Sequence, residues 1–274
     1  MSFSIATLER ESSHCSVAGM RVRYAREGSG PTVVLLHGSG SSLDAFDAVA
    51  RRLRGRCEVV RMDLPGFGLT GPPPDRDYRV DAYTRFLDQL LERLGIESAV
   101  VVGNSLGGNI AWQYALDFPE RVRGLVLVNA TGYPEKSFPA AIRLARNPVT
   151  GRLLRRWGPR GGVARSLRSA AGRTEVVDDA MIDRVHAMAS RPGNRGAFVD
   201  FANTDQVDRS QEISRVSVPT LIVRGDLIDG QDFARDIGNS REVVLHGVGH
   251  LLPEEAPAEL AEALLSFIDG ELRA

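Results

Sequence analysis

Ala99-Val100-Val101-Val102-Gly103-Asn104-Ser105-Leu106-Gly107-Gly108 is the stretch on which the reading of this chain turns. A short β-branched run leads straight into a G-x-S-x-G turn. The segment from Leu106 to Phe118 follows with helical length and stops before Pro119. Strand, glycine-flanked serine and helix in that order describe a sharp turn that lifts a serine hydroxyl above the carboxyl end of a sheet. Gly103 and Gly107 are required there because side chains at either position would strike neighbouring backbone. The start of the following helix favours negative charge developing nearby.

The same alternation runs outward from that turn. Upstream, residues 1–30 read as a β-hairpin around Gly19, Thr32 to Leu36 as a strand buried on both faces, and Cys57 to Met62 as another strand. A helix is expected from Ser42, as its cap, to Leu53. Phe86, Leu87, Leu90, Leu91 and Leu94 recur at helical spacing within Tyr78 to Leu94. Downstream, Val122 to Val128, Thr220 to Val223 and Glu242 to Leu245 read as strands. Gln231 to Ile237 and Ala256 to Ile268 read as helices. Strands alternating with helices build a mostly parallel sheet with helices on both faces. Residues 133–215 break the alternation and read as helix and loop. The expected organisation is an α/β core of residues 1–132 and 216–274, interrupted by a helical cap of residues 133–215.

A serine hydroxyl is a weak nucleophile until a base takes its proton. His250, in His246-Gly247-Val248-Gly249-His250 after the last expected strand, falls at the same sheet edge as Ser105. His246 reads as a partly buried structural imidazole, and His37 as a hydrogen-bonded residue packed beneath its loop. The acid that orients His250 belongs after the penultimate strand, where Gly225-Asp226-Leu227-Ile228-Asp229 offers two carboxylates. Asp229, further out, is the expected acid. Asp226 is the alternative, or else braces the turn, and Asp232 is a remoter candidate. An oxyanion needs two N–H donors. The expected pair is the backbone N–H of Leu106 and that of Ser39 in His37-Gly38-Ser39-Gly40.

Composition bounds the rest. The 274 residues are 43% hydrophobic and 25% charged, with net charge −1, which argues against general nucleic-acid binding. Two cysteines, Cys15 and Cys57, form no disulfide framework or metal motif and read as buried thiols. No apolar run reaches the roughly 18 residues that a membrane-spanning helix needs. No secretory leader is visible, because Glu9, Arg10 and Glu11 sit where its apolar segment would be. A cytoplasmic enzyme is therefore expected; the serine chemistry above needs no cofactor and would act on a small-molecule acyl substrate, and a homo-oligomer is left open. Residues 137–215 carry 14 arginines and 8 acidic residues, a net of +6, against 20 basic and 27 acidic residues elsewhere, a net of −7. That basic segment reads first as a solvated helical face, with attraction of an anionic substrate or membrane surface as the functional alternative.

Taken together, His37-Gly38-Ser39-Gly40, Asp63-Leu64-Pro65-Gly66-Phe67-Gly68, Gly103-Asn104-Ser105-Leu106-Gly107-Gly108, Asp229 and Gly249-His250 resemble the α/β-hydrolase superfamily over nearly the whole chain. The resemblance implies an α/β-hydrolase fold with an eight-stranded sheet, a cap over the site and a Ser-His-Asp serine hydrolase. An esterase is the leading expectation. Gly-Asn-Ser-x-Gly-Gly is also similar to the carbon–carbon hydrolases of ring-cleavage products, in which a cap arginine binds the substrate acid. Arg184 is the matching candidate here, although Leu251 stands where those enzymes commonly carry Trp. A ligand receptor with slow turnover is the remaining alternative. Serine at position 105 excludes the dehalogenase and epoxide-hydrolase members, which need Asp there.

Overall fold

The computed structural model describes residues 12–134, 139–228 and 231–271, together with Ile5, Leu8 and Glu9. The first strands are the hairpin β1 (Ser13–Val17) and β2 (Met20–Gly28), followed by β3 (Thr32–Leu36), helix α1 (Asp47–Leu53) and β4 (Glu58–Met62). Then come α2 (Val80–Arg93), β5 (Ala99–Asn104), α3 (Leu106–Asp117) and β6 (Val122–Val128). Among the described residues five helices follow without a strand: α4 (Ala140–Arg146), α5 (Pro148–Arg156), α6 (Arg160–Ala170), α7 (Asp179–Ala189) and α8 (Asn194–Asn203). The alternation resumes with β7 (Thr220–Gly225), α9 (Phe233–Asp236) and β8 (Ser240–Leu245), and closes with α10 (Leu252–Glu255) and α11 (Pro257–Glu271).

The strands form one eight-stranded sheet in the order β1-β2-β4-β3-β5-β6-β7-β8. β2 runs antiparallel to β1 and β4, and every other pairing is parallel. The alternation of strand side chains fills two separate cores. Val34, Leu36 and Val101 face α2 and α3, packing with Leu87, Leu90, Ile110 and Trp112. Val33, Leu35, Val100 and Val102 face α1 and α11, packing with Val49, Leu53, Leu260 and Leu264. The central strands are therefore apolar at consecutive positions, as parallel strands covered on both faces must be. The helical spacing in α2 is used as expected, with Phe86, Leu87, Leu90 and Leu91 all buried.

Local differences from the sequence reading have identifiable causes. Ser42 does not cap a helix. Its Oγ donates to Asp44, and a 3₁₀ turn over Leu43–Phe46 precedes α1. The Leu43 N–H is taken by Asp63 at 2.7 Å, so a buried carboxylate satisfies the helix start that Ser42 would have served. The helix expected over Gln231 to Ile237 shrinks to Phe233–Asp236, because the Gln231 side chain accepts from the Gly132 and Tyr133 N–H groups. Cys57 is buried, whereas Cys15 is only half-buried. No helix among the described residues is long and apolar enough to cross a membrane.

Candidate active site

Ser105 lies between β5 and α3 with φ 54° and ψ −114°. A non-glycine residue in that region stores strain, and such strain persists only where its surroundings hold it. They do so here by close approach. A Cβ on Gly103 would stand 2.1 Å from the Gly107 carbonyl oxygen, and one on Gly107 would stand 2.2 Å from that of Leu36. The turn thus nests against the end of β3 with no room for side chains. The Ser105 N–H donates to the Val128 carbonyl at 3.1 Å, which joins the turn to the end of β6. Ser105 is 9% exposed and Leu106, the first residue of α3, is buried.

The loop after β3 is held from below. The His37 Nε2 accepts the Leu64 N–H at 3.0 Å, so its proton sits on Nδ1, which donates to the Gly38 carbonyl at 2.7 Å. Burial pushes His37 below the ordinary imidazole value and keeps the ring neutral in that role. Around it, Arg23 makes a two-pronged pair with Asp44 at 2.8 and 2.9 Å and reaches Asp63 at 3.4 Å. Asp63 in turn accepts the Leu43 and Leu69 N–H groups at 2.7 and 2.6 Å. This buried network makes the loop rigid. A Cβ on Gly38 would lie 3.3 Å from the Ser105 Cβ, so the loop passes in contact with the serine, and Ser39 is the next residue along it.

His250 is placed by three other contacts. Its own N–H donates to the Ala170 carbonyl at 2.7 Å, at the end of α6. The N–H groups on either side of it, from Gly249 and Leu251, donate to the two oxygens of Glu255, each at 2.9 Å. Glu255, which is buried, also accepts the Gly172 and Arg173 N–H groups at 2.8 Å each. One carboxylate therefore gathers four backbone donors from the histidine loop and from the segment after α6. The backbones approach so closely that a Cβ on Gly249 would lie 2.3 Å from the Gly172 nitrogen. Burial holds the His250 imidazole below its usual value, against the opposing pull of the Glu255 charge.

Asn129 joins these parts. It follows β6 directly, its φ is 41°, and its side chain is buried. Its Nδ2 donates to the Gly249 carbonyl at 3.0 Å, and its Oδ1 accepts the Gly225 N–H at 3.0 Å. The ends of β6 and β7 and the His250 loop thus meet at one amide, one residue from the carbonyl that anchors Ser105. Sequence reasoning missed Asn129 and Glu255. A polar residue closing an apolar strand and an acid five positions beyond His250 were the available signals.

The remaining expected residues fall as follows. Asp229 lies outside the described residues. Asp226 accepts from the Gly247 N–H at 2.8 Å and pairs with His246 Nδ1 at 3.0 Å, and those contacts hold its carboxyl below the usual range. The His246 side chain is 89% exposed, which corrects its reading as partly buried: it projects from the turn after β8 and covers no core. Arg184, on α7, is half-buried. Its charge helps lower Asp44, and it opposes the burial that pushes Glu254 up to about 8. Helix α8 packs against loops of the sheet edge that carries Ser105. Phe198 lies against Gly40, Ala197 against Gly66, and Phe201 packs edge-on to Phe67 with centroids 5.9 Å apart. Among the described residues no cluster of His, Cys, Asp or Glu has the arrangement of a metal site.

A mostly parallel eight-stranded sheet carrying a strained serine turn, with a histidine loop tied to the same edge, defines a hydrolase class. The chain belongs to the α/β hydrolase fold family, whose model matches residues 31–257. It is 28% identical over 244 residues to the uncharacterized hydrolase YugF of Bacillus subtilis, covering 86% of this chain and 89% of that one. It is 27% identical to lipase 1 of Psychrobacter immobilis, over 91% of this chain and 81% of that one. It is also 27% identical to the 2-hydroxy-6-oxo-6-(2'-aminophenyl)hexa-2,4-dienoic acid hydrolase of Metapseudomonas resinovorans, over 92% of this chain and 89% of that one. The protein is an enzyme of the hydrolase type.

Proposed function

We propose that this chain hydrolyses carboxylic esters of small-molecule acyl substrates through an acyl-Ser105 intermediate. The observation that carries the reading is the strained Ser105 turn, whose anchoring strand end is linked through Asn129 to the backbone beside His250. A buried imidazole with a lowered proton affinity is neutral at neutral pH and ready to accept the serine proton. Ser105 Oγ attacks the acyl carbon as its proton passes to His250. The Leu106 and Ser39 N–H groups hold the oxyanion. The alcohol departs with the proton from His250. Water, deprotonated by His250, then attacks the acyl carbon, and the carboxylic acid leaves from Ser105. Asp229 orients His250 and stabilises its cation without taking the proton, while Asp226 is committed to His246. Residues 133–215 act as a cap on a core of residues 1–132 and 216–274, and the enzyme works in the cytoplasm.

One observation favours a second reading, carbon–carbon hydrolysis of a ring-cleavage-type diketone acid. It is the 27% identity, over 92% of this chain, to a 2-hydroxy-6-oxo-6-(2'-aminophenyl)hexa-2,4-dienoic acid hydrolase. Arg184 would then bind the substrate acid. A fluorophosphonate probe should label the wild type at one site per chain, and Ser105→Ala should abolish labelling and lower kcat by about a million-fold. Nitrophenyl esters of graded acyl length, run beside a ring-fission acid, separate the two enzymes. No labelling and no turnover on any of them would leave a receptor.

A further inference from the structure

Helices α4 and α5 turn an apolar face outward that nothing among the described residues covers. Leu144, Val149, Leu153 and Trp157 are between 49% and 68% exposed. The opposite face explains why. Ala145, Gly151 and Leu154 pack down onto α8, against Val199 and Ala202, with Phe198 beside them. Asn147 Oδ1 accepts the Val149 and Thr150 N–H groups at 3.0 and 3.1 Å and sets the start of α5. With that underside fixed, the helical repeat sends Val149 and Leu153 outward and places Arg152 and Arg156 beside them.

The charge around this stripe is one-sided. Residues 139–174 contain nine arginines and no acidic residue. Arg155, on the flank toward α8, pairs with Asp200, and Arg160 pairs with Asp179 and Asp183. Arg143, Arg152 and Arg156 are exposed, and none of them has an acidic partner among the described residues. A two-fold copy of the chain would set these arginines against themselves, so self-association is opposed by charge. Exposed aliphatic residues and a tryptophan, flanked by long cationic side chains whose stems can lie along an apolar surface, match an anionic lipid interface.

We propose that the outward face of α4 and α5 docks the protein onto anionic phospholipid surfaces, with Val149, Leu153 and Trp157 entering the headgroup boundary. The face backs onto α8, which packs against the loop after β3. α5 rests on α8, and the Phe198 ring of α8 lies where a Cβ on Gly40, in the loop that carries Ser39, would come within 3.5 Å of it. Docking does not depend on which bond Ser105 cleaves.

The sequence provides its own reporter. The chain has two tryptophans, and Trp112 is fully buried, so a fluorescence shift on adding vesicles reports Trp157. The full-length protein is mixed with vesicles of phosphatidylcholine alone or with phosphatidylglycerol, at low and high salt, and sedimented. The expected result is binding to the phosphatidylglycerol vesicles with a blue shift, weakened by salt. Leu153→Ala with Trp157→Ala should lower partitioning at least 10-fold. Arg152→Gln and Arg156→Gln should each lower it about five-fold on the anionic vesicles only. Ser105→Ala should bind as the wild type does, which keeps failure of docking separate from failure of the esterase reading. Absence of binding at low salt, binding indifferent to these substitutions, or a dimer in ultracentrifugation that Leu153→Asp dissociates would each overturn the proposal. All four positions are exposed, and unchanged melting of the variants excludes misfolding as the cause.

Discussion

Glu255→Gln tests whether the histidine loop is positioned by a single carboxylate. One oxygen of Glu255 accepts from Gly172, Arg173 and Gly249, and the other from Leu251. Glutamine has one carbonyl oxygen, so its best orientation keeps the three donors and turns an NH₂ toward the Leu251 N–H. That change loses one charge-assisted bond, costing about 1.5–3 kcal/mol, and weakens the other three. Leu251 adjoins His250, and a displacement near 1 Å at a reacting group costs about 100-fold in rate. We expect kcat/KM on a nitrophenyl ester to fall about 10- to 100-fold. A second readout separates positioning from mere destabilisation. His250 must be neutral to act, so activity is lost as pH falls through its depressed pKa, below the ordinary imidazole range. The Glu255 charge opposes that depression, so removing it moves the acid limb of kcat/KM to still lower pH. Wild-type kcat/KM with an unmoved acid limb would refute the reasoning, whatever the melting temperature does.

Three further outcomes are expected. Asn129→Ala leaves the buried Gly225 N–H and Gly249 carbonyl unpaired and places alanine at positive φ, so a loss of about 2–4 kcal/mol should appear in denaturant unfolding, with Asn129→Asp losing less. Burial pushes Glu254 up to about 8 in the folded chain, so the unfolded chain binds fewer protons and stability falls as pH rises from about 4.5 to 8; Glu254→Gln should melt above the wild type at pH 9 and close to it at pH 4. Asp229→Asn should cost up to about 10⁴ in kcat, whereas Asp226→Asn, which releases only the exposed His246 turn, should cost little; the reverse order in ester kinetics would make Asp226 the acid.

The parts of the molecule that were legible in the sequence are those where one local pattern decides. The β5 run, the glycine turn and α3 lie consecutively, and steric contact over a few residues enforces them. The apolar strands were readable because both faces of the sheet are covered. What escaped was long-range polar satisfaction. Glu255 is a charged residue among several in an acidic stretch, and nothing local reveals that Gly172, 83 positions away, donates to it. Asn129 resembles any polar residue ending a strand until the folded chain brings Gly225 and Gly249 to it. The exposure of His246 and the shortening of α9 have the same origin, since side chains chose tertiary partners over local ones. The helices between β6 and β7 were legible as helices, but which of their faces would be covered depended on how α4 and α5 settled on α8.

The central claim is that Ser105 becomes acylated during turnover. Mixing the protein with a short nitrophenyl ester, quenching in acid within the first turnovers, and mapping peptides by mass tests it most directly. The account predicts one acyl group per chain on the peptide carrying Ser105, and none on that peptide from Ser105→Ala. Turnover without an acylated peptide, or an acyl group on another residue, would contradict it.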